Sequence, residues 1–427
     1  MLTMAETARL ANAVVPVCRF PEAAETVRAY LLKVTRLVLD ALGEDAVTSI
    51  VVSGSTTVGE LTAVTFAGEG PLILSDVDVS VVMRDDSSRE AARSARAELL
   101  RRFRGLPEAA GMLGGVELGV YSLRDLEFQT RKMGVMEMRT TGVTIWGDPA
   151  ALRRLPAFGP EDIPRREAIA LIYNRCLELL EAYYSRVPDD RRAPLRTLYA
   201  AAKCLVDVGT ALAAYHGAYG PGYSRRLPLL ESLLQENYPT GLGPITADAL
   251  MEALAFWTRF KVDPDLTKVA ERYGRAADDR GLSEAAAMAC LEARRPLIEA
   301  WASLGTEGRG GASGTTAEKC TSMMSYERLR ERLRGWKRLV AAGEVSPARA
   351  VRLARHGSPL QLLRLCAICA MDEAWGPEGG PLRPPARSFL EAYCPVPASG
   401  IGAGSEADSW RDHIARLWRR WTERFWS

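Results

Sequence analysis

Val47-Thr48-Ser49-Ile50-Val51-Val52-Ser53-Gly54-Ser55, followed twenty residues later by Ser75-Asp76-Val77-Asp78-Val79-Ser80-Val81-Val82, decides how the first part of this chain folds. The β-branched run Val47 to Val52 ends at once in Ser-Gly-Ser, the pattern of a buried strand that delivers a tight turn. Leu72 to Met83 reads as a second strand carrying an acidic pair. Residues two apart on a strand project to one side, so Asp76 and Asp78 aim both carboxylates at one point while Val77 and Val79 face a core. Two carboxylates held that close repel unless a cation sits between them. Oxygen ligands arranged among water and phosphate oxygens are what Mg²⁺ prefers, above all where a nucleotide supplies the remaining ligands. Gly54 lets the backbone approach a phosphate closely, and the Ser55 amide and hydroxyl can donate to it at a helix N-terminus. A bare Asp-x-Asp also ends many solvated strands; its pairing with the Gly-Ser turn is what points to metal and phosphate.

Working outward, Glu22 to Leu42 carries Val27, Tyr30, Leu31, Val34, Leu37, Val38 and Leu42 at helical spacing, which predicts an amphipathic helix. Leu61 to Phe66 and Pro71 to Leu74 flank Gly68-Glu69-Gly70 and predict a small hairpin between the two strands. Ser88 to Phe103 reads as a charged helix, Gly115 to Tyr121 as a strand, and Gly142 to Trp146 as a further strand or sheet edge. The first 150 residues therefore predict a small mixed sheet. From Pro164 to Ala302 the periodicity is helical, with helices expected at Arg165 to Ser185, Leu195 to Tyr215, Leu227 to Asn237, Ala247 to Phe260, Pro264 to Ala277 and Ser283 to Trp301. The fold class is α+β, a small mixed sheet followed by α-helical domains. Segments are expected at 1–150, 151–304, a Gly-rich linker at 305–320, and a helical, basic 321–427 interrupted from Gly376 to Pro385.

The Gly-Ser turn and the alternating acids together resemble the polymerase-β-like nucleotidyltransferase superfamily, over about Ala46 to Pro149, roughly a quarter of the chain. The resemblance implies a nucleotidyltransferase core that uses two Mg²⁺ ions and an NTP, with ATP the first candidate. It also implies a third carboxylate from a later strand. Glu117, flanked by Val116 and Leu118, stands at the matching position, with Asp125 and Glu127 as alternatives. Asp76, Asp78 and Glu117 become the catalytic and metal-ligating candidates, and Gly54 and Ser55 the phosphate-binding ones. The chain departs from the pattern in the hairpin inserted between Ser55 and Asp76; Glu60 at its base reads as a solvent-facing helix residue or a further contact. Farther on, Leu198 to Val206 and Gly217 to Ser224 resemble the helical segment of archaeal-type CCA-adding enzymes and poly(A) polymerases. That likeness implies triphosphate contacts from Lys203 and Ser224. Independently, Lys203 is a cation among Ala, Leu and Val, which must reach water or meet an anion. Tyr199, four residues earlier, could lie under a base or in the core.

With 427 residues, 47% hydrophobic, 25% charged and a net charge of +2, the composition is that of a folded globular protein and argues against a uniformly basic nucleic-acid binder. The charge is uneven: from Thr321 onward there are 17 Arg and Lys against 11 Asp and Glu, a net +6. Met1 to Pro16 lacks a signal-peptide pattern and no apolar run is read as a membrane span, so a cytoplasmic protein is expected. The eight cysteines are scattered, and the Cys366/Cys369 pair lies in an apolar run without partner ligands, which favours buried thiols over zinc. With only His216, His356 and His413, histidine-centred chemistry has little support; Arg349 and His356 match the spacing of HEPN ribonucleases only loosely. Near the end, Trp410, Ile414, Leu417, Trp418, Trp421 and Phe425 form an aromatic stripe, with Arg411, Arg416, Arg419, Arg420 and Arg424 assigned to other faces. Such a stripe docks on the chain's own core or on a partner subunit, with nucleic-acid binding by interleaved Arg and Trp as the alternative. The expected function is transfer of an NMP from an NTP to a hydroxyl, with a small-molecule acceptor. An RNA end or oligonucleotide is the alternative acceptor, and a non-catalytic nucleotide-binding regulatory protein the alternative class.

Overall fold

Apolar residues at helical spacing turn one side of α1 (Pro21–Leu42) inward: Val27, Tyr30, Leu31, Val34 and Val38 are all buried. The computed structural model describes residues 15–65, 70–184, 190–306, 315–323, 329–372, 384–395 and 406–421. After α1 come β1 (Val47–Ser53), β2 (Ala63–Thr65), β3 (Pro71–Ile73), β4 (Val77–Met83), α2 (Asp86–Arg104), β5 (Val116–Ser122), α3 (Leu123–Glu127), α4 (Met133–Thr141) and β6 (Val143–Gly147). Four strands form one mixed sheet in the order β5-β4-β1-β6, in which β4 runs parallel to β5 and β1 antiparallel to both β4 and β6. The period of two sorts the side chains. Ile50, Val52, Val77, Val79 and Val81 join α1 and α2 in one core, and Val51 and Val82 join Leu126, Val135, Met138 and Leu155 in another. The sheet is thus covered on both faces, and α+β holds.

The expected strand Leu72 to Met83 is broken. β3 pairs with β2 in a separate two-stranded sheet, as the hairpin reading anticipates, and β4 begins only at Val77. The backbone changes partner in between: the Leu74 amide donates to Thr62 O at 2.9 Å, on the hairpin side, whereas the Val77 amide donates to Gly115 O at 3.0 Å, on the main sheet. The turn after β1 is a five-residue 3-10 helix, Gly54–Val58, in place of the α-helix N-terminus expected there. Helices α3 and α4 were not expected at all. The hairpin tip, 66–69, lies outside the described residues.

The rest of the described chain is helical, as its periodicity predicts: α5 (Arg165–Tyr184), α6 (Ala193–Tyr215), α7 (Tyr223–Asn237), α8 (Ala247–Val262), α9 (Leu266–Arg272), α10 (Asp279–Thr306), α11 (Thr316–Ser322), α12 (Leu329–Ala341), α13 (Pro347–Ala354), α14 (Pro359–Asp372), α15 (Pro384–Tyr393) and α16 (Glu406–Trp421). α9 is shorter than expected, because the Asp265 side chain accepts the Lys268 amide at 3.1 Å and Gly274 follows in the left-handed region. Of the expected linker 305–320, residues 307–314 lie outside the described residues, and the remainder closes α10 and opens α11. Most of the Gly376 to Pro385 interruption also lies outside them, but Pro384 and Pro385 begin α15. α6 has the length and composition of a membrane span, contrary to the expectation that no run does, but nearly all of that stretch is buried inside the protein.

Two compact units emerge, interleaved along the chain rather than consecutive as the sequence suggested. The first comprises Met1–Glu167, Ala213–Asn237 and Met251–Val269; the second comprises Ala168–Leu212, Tyr238–Leu250 and Ala270–Ser427. In the second, Arg175 is held by Asp207 at 2.6 Å, and the Trp336 indole donates to Gly357 O at 2.9 Å. Trp410, Ile414, Leu417 and Trp421 are buried, so the aromatic stripe docks on the chain's own core; Arg424 and Phe425 lie outside the described residues. Arg411, assigned to a face other than the stripe's, is fully buried with it, and its Nε donates to Ala370 O at 2.8 Å. Arg416, Arg419 and Arg420 pair with Asp412, Glu181 and Glu344. The spacing of Arg349 and His356 has a structural use, since Arg349 donates to the carbonyls of Cys394 and Pro395 and His356 stands edge-on to Tyr393. All eight cysteines are free thiols, seven of them buried and Cys18 half-buried.

Candidate metal centre

Strand register brings the predicted acids together. Asp78 lies directly across the parallel β4–β5 pair from Glu117, and Asp76 stands just before β4. One carboxylate oxygen from each of Asp76, Asp78 and Glu117 lies within 4.8 Å of the other two. The flanking Val77 and Val79 are buried, so the apolar half of the alternation anchors the acidic half. Asp76 and Asp78 are half-buried and Glu117 is exposed. Among the described residues, no other group of three His, Cys, Asp or Glu is gathered this closely.

Two glycines make the arrangement possible. Gly54 has φ +72°, and a Cβ there would stand 2.3 Å from Asp78 Oδ2. The turn after β1 therefore passes against the Asp78 carboxylate, across from which Ser53 is the register partner. Gly114 lies against the Ser75–Asp76 peptide, where a Cβ would come within 2.2 Å of the Ser75 carbonyl carbon. Together they pin both acids between the Gly54 turn and the start of β5. Octahedral Mg²⁺ holds oxygens at about 2.1 Å, which separates neighbouring ligand atoms by about 3 Å and opposite ones by about 4.2 Å. The three donors are of the right chemistry, and gathered within 4.8 Å they could hold a metal ion.

The surroundings are charged unevenly. Arg96 donates to Leu118 O at 2.8 Å; burial lowers its pKa, and the nearby Glu117 works against that shift. The Tyr121 phenol is pushed up by burial and then by the Asp78 charge. Asp125 and Glu127, the alternative third acids, are engaged elsewhere. Asp125 forms a reciprocal cap with Ser122 and pairs with Arg89 at 2.8 Å, and Glu127 pairs with Arg154 at 2.6 Å. Burial acts to raise the Asp125 pKa, but the Ser122 amide and Arg89 outweigh it and hold the carboxyl below the usual range.

The remaining predicted residues are distributed differently. Ser55 lies in the 3-10 turn and its carbonyl accepts the Glu60 amide at 2.9 Å. Lys203 is half-buried on α6 within the second unit, and Tyr199 is buried there too. Ser224 is exposed at the start of α7. Glu60 is not solvent-facing: it is buried, and its carboxylate accepts the backbone amides of Tyr223 and, at 3.0 Å, Ser224. It therefore caps α7 and takes up an amide that a phosphate at Ser224 would need. Sequence reading missed Lys261 entirely, although it too is a lysine among apolar and aromatic residues. Comparisons with models of known protein families, with curated proteins and with solved structures return no match.

Proposed function

We propose that this chain is a Mg²⁺-dependent nucleotidyltransferase that moves a nucleoside monophosphate from an NTP, ATP first among them, to a hydroxyl of a small molecule and releases pyrophosphate. The observation that carries this reading is the meeting of Asp76, Asp78 and Glu117 within 4.8 Å, with the Gly54 turn against Asp78. When bound, two Mg²⁺ ions lower the pKa of the attacking hydroxyl and offset charge on the leaving phosphates. Asp76, just before β4, and Asp78, within it, would hold the ions, and Glu117 would serve the acceptor side. Gly54 and Ser55 bring backbone close to the phosphates. Ser224, on resemblance alone, and Lys203, on resemblance and as a cation among apolar residues, are further phosphate candidates, Ser224 through its hydroxyl, since its amide is bound to Glu60.

A small-molecule acceptor is favoured by the charge. Tight RNA binding normally neutralises several phosphates, whereas this chain carries a net +2, and Arg416, Arg419 and Arg420 of its basic end are already ion-paired. The test is magnesium-dependent pyrophosphate release with each of the four NTPs, run with a panel of small-molecule hydroxyl acceptors and with RNA. A non-catalytic nucleotide-binding protein would bind NTP and release none in any arm, which would overturn the reading.

A further inference from the structure

Lys261, near the C-terminal end of α8, is 1% exposed. Its Nζ donates to Ser75 Oγ at 2.9 Å and to Thr62 Oγ1 at 3.2 Å, and it lies 5.3 Å from the centre of the Tyr223 ring. Desolvating an ammonium is costly unless several groups receive it, so a lysine buried to this degree is held by its surroundings in one place. The bonding is reciprocal. Thr62 Oγ1 donates to Lys261 O at 2.6 Å, the Thr62 amide donates to Ser75 Oγ at 2.9 Å, and Ser75 Oγ stands 3.2 Å from Thr62 Oγ1.

The location of this knot gives it a consequence. Thr62 immediately precedes β2, and Ser75 lies between β3 and β4, so the ammonium closes the two stems of the hairpin insert together. Ser75 is also the residue before Asp76, in the stretch where the backbone leaves the hairpin for the main sheet. Asp76 stands one residue before the β4–β5 ladder that sets Asp78 across from Glu117. The Ser75–Asp76 peptide lies against Gly114, and the Ser75 hydroxyl receives the Lys261 bond.

We propose that Lys261 is a positioning residue of the acidic cluster: through Ser75 it fixes the peptide that aims Asp76 at Asp78 and Glu117. The proposal rests on the metal reading above. It also gives the insert a use, since the hairpin stems supply the Thr62 and Ser75 hydroxyls that receive the buried lysine.

Mn²⁺ titration followed by electron paramagnetic resonance tests it on the full-length chain without needing the acceptor. The arms are the parent, Asp78→Asn as the blank, Lys261→Met, Ser75→Ala, and the Lys261→Met/Ser75→Ala double variant. Partners behind metal ligands typically contribute 10- to 100-fold in affinity, so each single variant should bind Mn²⁺ about tenfold more weakly than the parent. The double variant should be little weaker than the worse single, because both changes break one link. Removing a nearby positive charge would by itself tighten a cation, so weakening reports positioning. Tyr30→Phe, which loses a buried bond to Phe103 O in the α1–α2 layer, should lower the melting temperature and leave Mn²⁺ affinity unchanged. Affinity for Lys261→Met equal to or tighter than the parent's would show that Lys261 only stabilises the fold and would overturn the proposal. If Lys261→Met does not fold, Ser75→Ala, which keeps the charge, decides by the same criterion. A parent that binds no Mn²⁺ would overturn the metal reading and this one with it, and the parent arm alone tells the two failures apart.

Discussion

Glu117 and Asp125 are both acids of the β5–α3 segment, yet their neighbours assign them opposite work. Glu117 is exposed beside two other carboxylates, whereas Asp125 is consumed by the Ser122 cap and by Arg89. Asp76→Asn and Asp78→Asn should each abolish magnesium-dependent pyrophosphate release and leave the fold intact; on the proposed reading the loss of a metal-ligating charge would cost several kcal/mol, about a thousandfold in turnover. Near-parental turnover by either would remove that residue from the site. Glu117→Gln should bind NTP within a few-fold of the parent and lose most turnover, the split expected of a group that matters mainly in the transition state. Equal losses in both would move Glu117 from the chemical step to nucleotide binding. Asp125→Asn should stay active but be less stable at neutral pH. The sign follows from its lowered pKa: the stabilisation is present above the ordinary carboxylate value near pH 4 and is lost as pH falls through the lower folded value. Urea unfolding of parent and Asp125→Asn should therefore differ at pH 7 and converge below about pH 4; a gap that persists in acid would mean the carboxylate charge is not what matters.

At the scale of elements, the turn after β1 depends on one backbone conformation. Gly54→Ala puts an L residue into the left-handed region, at about 1–2 kcal/mol, and drives its Cβ onto the Asp78 carboxylate. It should lower the melting temperature and weaken Mn²⁺ binding together. A drop in stability with unchanged Mn²⁺ affinity would show that the turn and the acid are independent. Local patterns of this kind were readable in the sequence, as were the amphipathic face of α1, the alternation in β4 and the Gly-Ser punctuation. The break at Leu74 to Asp76 was not, because an apolar run that changes hydrogen-bond partner midway looks the same as one that does not. α4 was missed for a related reason: Met133 to Thr141 is short and mixes apolar, basic and β-branched residues without a clear period.

Across the whole molecule, the partners of Glu60 and Lys261 are distant in sequence: Glu60 meets Tyr223 and Ser224, and Lys261 meets Thr62 and Ser75. No local pattern carries such pairings, which is why Glu60 read as solvent-facing and Lys261 went unnoticed, while Asp76 and Asp78 stood out from neighbouring residues and Glu117 came from the resemblance, with Asp125 and Glu127 as alternatives. Charge, by contrast, is a property of the whole chain and is legible from composition. With a net +2, binding to a single-stranded RNA homopolymer at physiological salt should be weak, with a shallow salt dependence. Fluorescence anisotropy across a salt series measures both, and tight binding that falls steeply with salt would reopen the RNA acceptor.

The interleaving of the two units also has a timetable. The sheet strands are all made by residue 147, but the unit they belong to is complete only when Val269 has been added, and part of the other unit is synthesised in between. At roughly 5–20 residues per second, the ribosome spends about 5–20 s between Glu167 and Val269. Until Tyr223 and Ser224 are added the nascent sheet has no α7 amides for Glu60 to cap, and until Lys261 is added nothing closes the hairpin stems. With Lys261 positioning Asp76 as proposed, the carboxylate cluster is encoded early and its support is encoded late.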